Sequence, residues 1–199
     1  MAKERLKSPR ARLFIALDLP AQMRAAIVEW GRDALSDPAL RRVDAESLHI
    51  TLAFLGYLPE REIERLAAIV TSVKASAPQV ELRDPVPRPA RGRPRLYALP
   101  AESSGAVDLQ AALREELVAA RLYKPEKRSF WPHVTVARVR SAGMGSRQAM
   151  RVVEPPQSLP EELGEHAFGA VRLTLYRSEF QPRGARYTQL AQIELPKGQ

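Results

Sequence analysis

The 199-residue chain contains no cysteine. That excludes disulfide frameworks, thiol nucleophiles, zinc ribbons and iron–sulfur clusters together. It has only three histidines, none in a His-x-His or His-Glu-x-x-His spacing, so nitrogen ligands for a metal are scarce. No apolar run approaches the roughly 20 residues a membrane-spanning helix needs. The basic start, residues 1–10, passes straight into Arg12-Leu13-Phe14-Ile15-Ala16-Leu17, with Asp18 and Pro20 behind it. It lacks the longer apolar core and the small-residue cleavage site of a secretory signal, so the chain reads as cytoplasmic. Hydrophobic residues at 45% and charged residues at 27% exclude a disordered or fibrous composition. The length suits one medium domain or two small lobes sharing a core, and a single domain over 1–199 is expected.

Charge is present in excess of one sign. Thirty-one basic residues, 25 of them Arg, stand against 23 acidic ones, giving +8 and a pI near 10.2. Arginine offers a planar fork that matches phosphate geometry, so an anionic partner is favoured. An Arg-rich genome composition accounts for the same excess, and charge alone decides little.

Residues 12–19 are apolar enough for a strand, and Pro20 opens a helix to about position 36, with Met23, Ala26, Ile27 and Trp30 at helical spacing. A strand over 47–55 is expected to end at Gly56, and Pro59 to open a second helix striped by Ile63, Leu66, Ala67 and Val70. Val80 and Leu82 suggest a short strand. Residues 84–95 hold Pro85, Pro87, Pro89 and Pro94 among Arg88, Arg91, Arg93 and Arg95, and read as a loop or linker. Beyond it come a strand from Leu96 and a helix from about Ser104 carrying Leu109, Leu113, Leu117 and Leu122. A strand over 132–139 follows, then an irregular stretch over 141–165, then two terminal strands over 171–180 and 187–195. The rhythm of strand, helix and strand, given twice, suggests two similar α+β lobes with antiparallel strands around one cleft and helices outside.

Two of the three histidines share a context: Leu48-His49-Ile50-Thr51-Leu52 and Pro132-His133-Val134-Thr135-Val136. With five Thr in the chain, a given His meets Thr two positions later about 2.5% of the time, and two such hits among three His occur by chance about 0.2% of the time. Strand side chains alternate, so His49 and Thr51 share one face while Leu48, Ile50 and Leu52 share the other, and likewise for His133 and Thr135. Two imidazoles facing across a cleft form a general base and a general acid near neutral pH. The hydroxyls of Thr51 and Thr135 suit phosphate oxygens. Arg138 suits charge neutralisation, but strict alternation turns it away from His133, so a twist or bulge is needed to aim it inward. His166, in Gly164-Glu165-His166-Ala167, has no partner motif and reads as a surface or loop residue.

These residues carry a resemblance. The chain resembles the 2H phosphoesterase superfamily, and within it the RNA 2′,3′-cyclic phosphodiesterases of the 2′-5′ RNA ligase family. The matching segments are Arg12-Leu13-Phe14-Ile15-Ala16, Leu48 to Gly56, Phe130 to Arg138, Leu175-Tyr176-Arg177-Ser178 and Gly184-Ala185-Arg186-Tyr187. Trp131 departs from the pattern, standing where a small or polar residue is expected. The resemblance implies a bilobal, pseudo-symmetric α+β fold and a phosphoric diester hydrolase that opens RNA 2′,3′-cyclic phosphate ends to 2′-phosphates. It implies no cofactor and no metal, RNA ends or nucleotides as partners, no membrane, and a monomer. His49 is then the acid for the departing 3′-oxygen and His133 the base for water. Thr51, Thr135, Arg138 and Ser178 belong to the substrate-binding set. Phe14, Phe54 and Tyr176 are candidates to stack on or wall a base, with core packing the alternative for Phe54 and still more for Phe14. 2′-5′ RNA ligation at the same site and a non-catalytic RNA-binding module are the other readings.

Overall fold

The computed structural model describes residues 9–143, 149–164, 167–181 and 184–197. His166 lies outside them. The elements in chain order are β1 (Arg10–Asp18), α1 (Ala21–Ala34), β2 (Leu40–Arg42), β3 (His49–Pro59), α2 (Ile63–Ser72), β4 (Gln79–Leu82), β5 (Val86–Arg88) and β6 (Leu96–Glu102). After them come α3 (Ser104–Ala119), β7 (His133–Val139), α4 (Glu161–Gly164), β8 (Phe168–Gly169), β9 (Arg172–Gln181) and β10 (Gly184–Glu194).

The strands run β10-β9-β1-β3-β7-β6-β4-β8, with β2 against β7 and β5 against β6, and every pairing is antiparallel. The sequence β1-α1-β3 in one half is matched by β6-α3-β7 in the other. β3 and β7 meet at the centre through one registered pair, Ile50 opposite Val134. Both are fully buried, so the seam between the halves is apolar on its inner side.

The near-continuous apolar run of β1 is explained by its place between β3 and β9, with cover on both faces. Leu13, Ile15 and Leu17 point into the main core, which also holds Leu66, Leu109, Leu113 and Leu117 from the helices. Each such fully buried Leu or Ile contributes roughly 2 kcal/mol. On the opposite face Phe14 and Ala16 form a small separate cluster with Tyr176, and Tyr187 packs against it. α3 starts cleanly because Ser103 Oγ accepts the backbone N–H of Ala106 at 3.1 Å. Among the described residues, no helix is long and apolar enough to cross a membrane.

Several boundaries differ from expectation. β3 does not stop at Gly56: the glycine adopts φ +71°, and the register against β1 slips there, leaving Leu55 without a partner. A left-handed glycine lets the strand bulge and continue instead of ending. Pro59 closes β3, and a single 3₁₀ turn (Glu60–Glu62) separates it from α2. Leu122 lies past the end of α3 yet is still buried.

The expected loop over 84–95 is in part sheet, since Val86, Pro87 and Arg88 pair with Ala98, Tyr97 and Leu96. Prolines are admitted there because β5 pairs with β6 alone and its other edge needs no N–H donors. Arg91, Arg93 and Arg95 remain exposed, whereas Arg88 is half-buried. The irregular stretch before β8 is tied down by Asp37, whose buried carboxylate accepts the N–H groups of Ala39, Val153 and Glu154 at 2.7–2.9 Å. The Glu154 N–H contributes most to holding that carboxyl below its ordinary pKa, against the opposing effect of burial.

Candidate active site

The antiparallel pair Ile50–Val134 places the rest of the seam. Continuing that register sets His49 level with Thr135 and Thr51 level with His133, all on the face opposite the buried Ile50 and Val134. These four side chains line one cavity of about 200 Å³, together with Arg12, Phe14, Ser47, Phe54, Arg138 and Tyr187. A cavity of similar size, about 220 Å³, lies under α1 on the core side among Ile27, Leu35, Leu48 and Val136 and holds no His or Thr. Chemistry, not volume, singles out the first.

Matched bulges follow each His-x-Thr. Against β1 the register shifts between Ala16↔Thr51 and Ile15↔Ala53, leaving Leu52 unpaired. Against β6 it shifts between Ala98↔Thr135 and Tyr97↔Ala137, leaving Val136 unpaired. In both strands two consecutive side chains are buried, Leu52–Ala53 and Val136–Ala137. The following residue, Phe54 or Arg138, therefore returns to the cavity face. This is how Arg138 comes to stand with His133 and Thr135. The pseudo-symmetric counterpart of the cation is an aromatic ring, Phe54, itself 41% exposed.

The two imidazoles are held differently. His133 Nδ1–H donates to the Trp131 carbonyl at 2.8 Å, which leaves Nε2 free. His49 Nε2 lies 3.0 Å from Thr51 Oγ1. The Trp131 carbonyl fixes the His133 tautomer, since it can only accept. Burial pushes His49 down to about 4, with the charges of His133 and Arg138 adding and the Ser47 backbone opposing. His133 is lowered in the same sense, first by burial, then by Arg88 and Arg138, against the Trp131 carbonyl. Burial thus favours the neutral form of both rings in the free protein.

Ring packing fixes the two imidazoles as well. His49 stacks on Phe14 with centroids 4.9 Å apart, Phe14 stacks on Tyr176 at 5.1 Å, and Tyr187 meets His49 edge-on at 5.4 Å. Phe14 is 3% exposed and Tyr176 8%, so neither offers an open face to a base; they form the bed on which His49 rests. Tyr176 OH donates to Asp18 Oδ1 at 2.7 Å, and burial pushes its own pKa up to about 12. Asp18 also accepts from Thr174 at 2.9 Å and from Arg172 at 3.2 Å. Ser178 lies a layer back too, buried and accepting from Arg12 at 2.7 Å. Of the expected substrate-binding set, Thr51, Thr135, Arg138, Phe14 and Phe54 line the cavity, while Tyr176 and Ser178 stand behind it.

Sequence reasoning did not single out Tyr187, Arg12 or Arg88 as site residues. Arg12 sits over the Phe54 ring at 4.6 Å and the Phe180 ring at 5.0 Å. The cavity opens past Thr51, Phe54 and His133 into a hollow of about 440 Å³ that includes Arg114, Tyr123, Arg128 and Trp131. Among the described residues, no three His, Cys, Asp or Glu side chains come together as a metal-binding group.

Two pseudo-symmetric halves, each offering a His-x-Thr strand to one cavity, define the bilobal 2H phosphoesterase fold. Residues 19–178 match the family model of the 2′-5′ RNA ligase superfamily. A Thermus thermophilus relative named RNA 2′,3′-cyclic phosphodiesterase is 34% identical over 192 residues, covering 92% of this chain and 90% of its own. An Escherichia coli relative of the same name is 28% identical over 179 residues, covering 90% and 93%. Among solved structures, one from Thermus thermophilus has a TM-score of 0.75 at 31% identity and covers 94% of this chain and all of its own, 100%. E. coli LigT complexed with 3′-AMP has a TM-score of 0.73 at 28% identity, covering 94% and 99%. The chain belongs to the 2′-5′ RNA ligase superfamily.

Proposed function

We propose that this protein hydrolyses RNA 2′,3′-cyclic phosphate ends to 2′-phosphates with two histidines and no metal. The observation that carries the reading is the pair of imidazoles from two adjacent strands lining one cavity, His133 tied to a backbone carbonyl and His49 to the Thr51 hydroxyl. The names of the Thermus and E. coli relatives support the reaction class, and the 3′-AMP complex of E. coli LigT supports a nucleotide-sized ligand. A pure RNA-binding module has no use for two matched acid–base groups.

The cyclic phosphate occupies the cavity with phosphorus between the two rings. His133 Nε2 takes a proton from water as its oxygen bonds to phosphorus. The bond to the 3′-oxygen breaks opposite it, and His49 as imidazolium gives that oxygen its proton. A 2′-phosphate and a free 3′-hydroxyl remain, and the two histidines return to their starting states by exchanging protons with solvent. Thr51 and Thr135 donate to the nonbridging oxygens while Arg138 meets the charge that builds there. An RNA chain continues into the larger hollow, where Arg114 and Arg128 face its backbone. The supply of His donors is thin for a resident metal, so turnover of a nucleoside 2′,3′-cyclic phosphate persists in EDTA. Loss on chelation, restored by a divalent ion, contradicts that part of the reading.

An acid whose free pKa is near 4 needs help to hold its proton, and the anionic substrate supplies it. A phosphate between the rings favours imidazolium at both sites. The His49 ring therefore titrates near 4 in the free protein, and upward of that when a nucleoside 2′-phosphate is bound. Because the complex binds more protons than its components, ligand affinity falls as pH rises through the bound-state values. Ring-resolved NMR titration with and without ligand measures both; identical titrations in the two states would contradict phosphate between the rings.

A further inference from the structure

The surroundings of Trp131 give it a definite task. Its indole lies on the His133 imidazole with centroids 4.2 Å apart and planes 15° from parallel. The Arg88 guanidinium lies over the Trp131 ring, 3.7 Å from a centroid. The carbonyl of the same Trp131 accepts the His133 Nδ1–H at 2.8 Å. One residue thus holds the imidazole by its face and by its edge.

Resting on the phosphodiesterase reading above, we propose that Arg88 and Trp131 are positioning residues for His133, the indole fixing the plane of the imidazole and the stacked guanidinium keeping that imidazole neutral and able to accept a proton from water. Proton abstraction is steeply sensitive to the direction of the accepting lone pair, and a ring free to turn about its side-chain bonds spends most of its time misaligned. The hydrogen bond at Nδ1 still allows rocking about the N–H···O axis; stacking on one face removes that freedom. A cation close to the ring acts on the proton equilibrium as well, since like charge disfavours imidazolium. The pKa of His133 is lowered by burial first and by Arg88 next.

Other groups face His133 too. Arg138 on its own strand works in the same direction as Arg88, and His49 reaches it from β3 across the cavity. Arg114 from α3 and Glu126 and Arg128 from the following loop stand around the adjoining hollow. On β6 the residue paired with His133 is the uncharged Pro100. Arg88 is distinguished from these by its site on β5, a strand outside the cavity lining, and by acting through a ring.

Charge and orientation separate by substitution. Arg88→Met keeps an apolar stem on the indole and removes the charge; Arg88→Lys keeps the charge and loses the planar stack. Trp131→Phe keeps an aromatic face, and Trp131→Ala removes it while leaving the backbone carbonyl. The ring titration of His133 is read by NMR in the free protein, with no substrate, so it decides the charge effect even if the proposed reaction is wrong. Arg88→Met raises the His133 pKa by about half a unit or more, while Arg88→Lys leaves it near the parental value.

With His133 as the base, a higher pKa leaves more of it protonated at a given pH. The acid limb of kcat/KM for a nucleoside 2′,3′-cyclic phosphate therefore moves to higher pH in Arg88→Met, and more activity is lost at pH 6 than at pH 8. Trp131→Ala lowers kcat about tenfold with KM within about twofold, and Trp131→Phe recovers most of it. Thermal unfolding of each variant shows whether it is folded; should Trp131→Ala be unfolded, the Phe variant and the two Arg88 variants decide. An unchanged His133 titration in Arg88→Met overturns the charge effect, and a kcat within twofold of the parent in Trp131→Ala overturns the orienting one.

Discussion

Replacing either His49 or His133 by alanine lowers kcat on a nucleoside 2′,3′-cyclic phosphate by at least about 10²-fold, the lower end of what one positioned acid or base contributes. The double variant loses much less than the product of the two losses, because a base without its acid has little left to assist. The geometry supports a large effect from each. Both rings line one cavity, both are held by a hydrogen bond, His133 to the Trp131 carbonyl and His49 to the Thr51 hydroxyl, and both have an aromatic neighbour on one face. Thr51→Ala and Thr135→Ala cost less, since each removes one hydrogen bond and leaves proton transfer in place. A near-parental kcat in either histidine variant removes that residue from the mechanism.

Asp18→Ala lowers global stability by about 3 kcal/mol, read as a shift in the urea midpoint at pH 7. Asp18 is 4% exposed and accepts from Thr174, Tyr176 and Arg172. Truncation leaves two hydroxyls and part of a guanidinium buried without an acceptor, and that desolvation penalty sets the size of the effect. Tyr176→Phe removes the strong bond to Asp18 and the longer one accepted from Gln189 at 3.4 Å and costs about 1 kcal/mol. The loss reaches the site as well, because Tyr176 supports Phe14 and Phe14 supports His49. A stability loss below about 1 kcal/mol for Asp18→Ala would mean that these groups find other partners.

The period-two placement of His and Thr was legible because strand alternation needs only sequence spacing. The three helices that carry core stripes, α1, α2 and α3, were legible for the same kind of reason, through Met23, Ile27 and Trp30, through Ile63, Leu66 and Val70, and through Leu109, Leu113 and Leu117. The bulges were not. Nothing in Leu52-Ala53 or Val136-Ala137 marks a slipped register, which arises from pairing with β1 and β6; only the need to aim Arg138 inward hinted at one. Gly56 illustrates the ambiguity of a left-handed glycine, which ends a strand in one context and bulges it in another. The stack of Arg88 on Trp131 was equally hidden, because it depends on a proline-rich segment joining the sheet as β5. Tyr176 and Ser178 illustrate a further limit: a residue can belong to a site motif and still act one layer behind the cavity, here through Asp18 and Arg12.

The most direct test of the two-histidine reading is the regiochemistry of the product. Incubating the protein with a nucleoside 2′,3′-cyclic phosphate in EDTA and following ³¹P NMR distinguishes the 2′-phosphate, the 3′-phosphate and unreacted diester. With His133 activating water and His49 protonating the 3′-oxygen, the cyclic resonance converts to that of the 2′-phosphate alone, and His49→Ala and His133→Ala leave it unconverted over the same interval. A 3′-phosphate product, or conversion by the two alanine variants at the parental rate, contradicts the account.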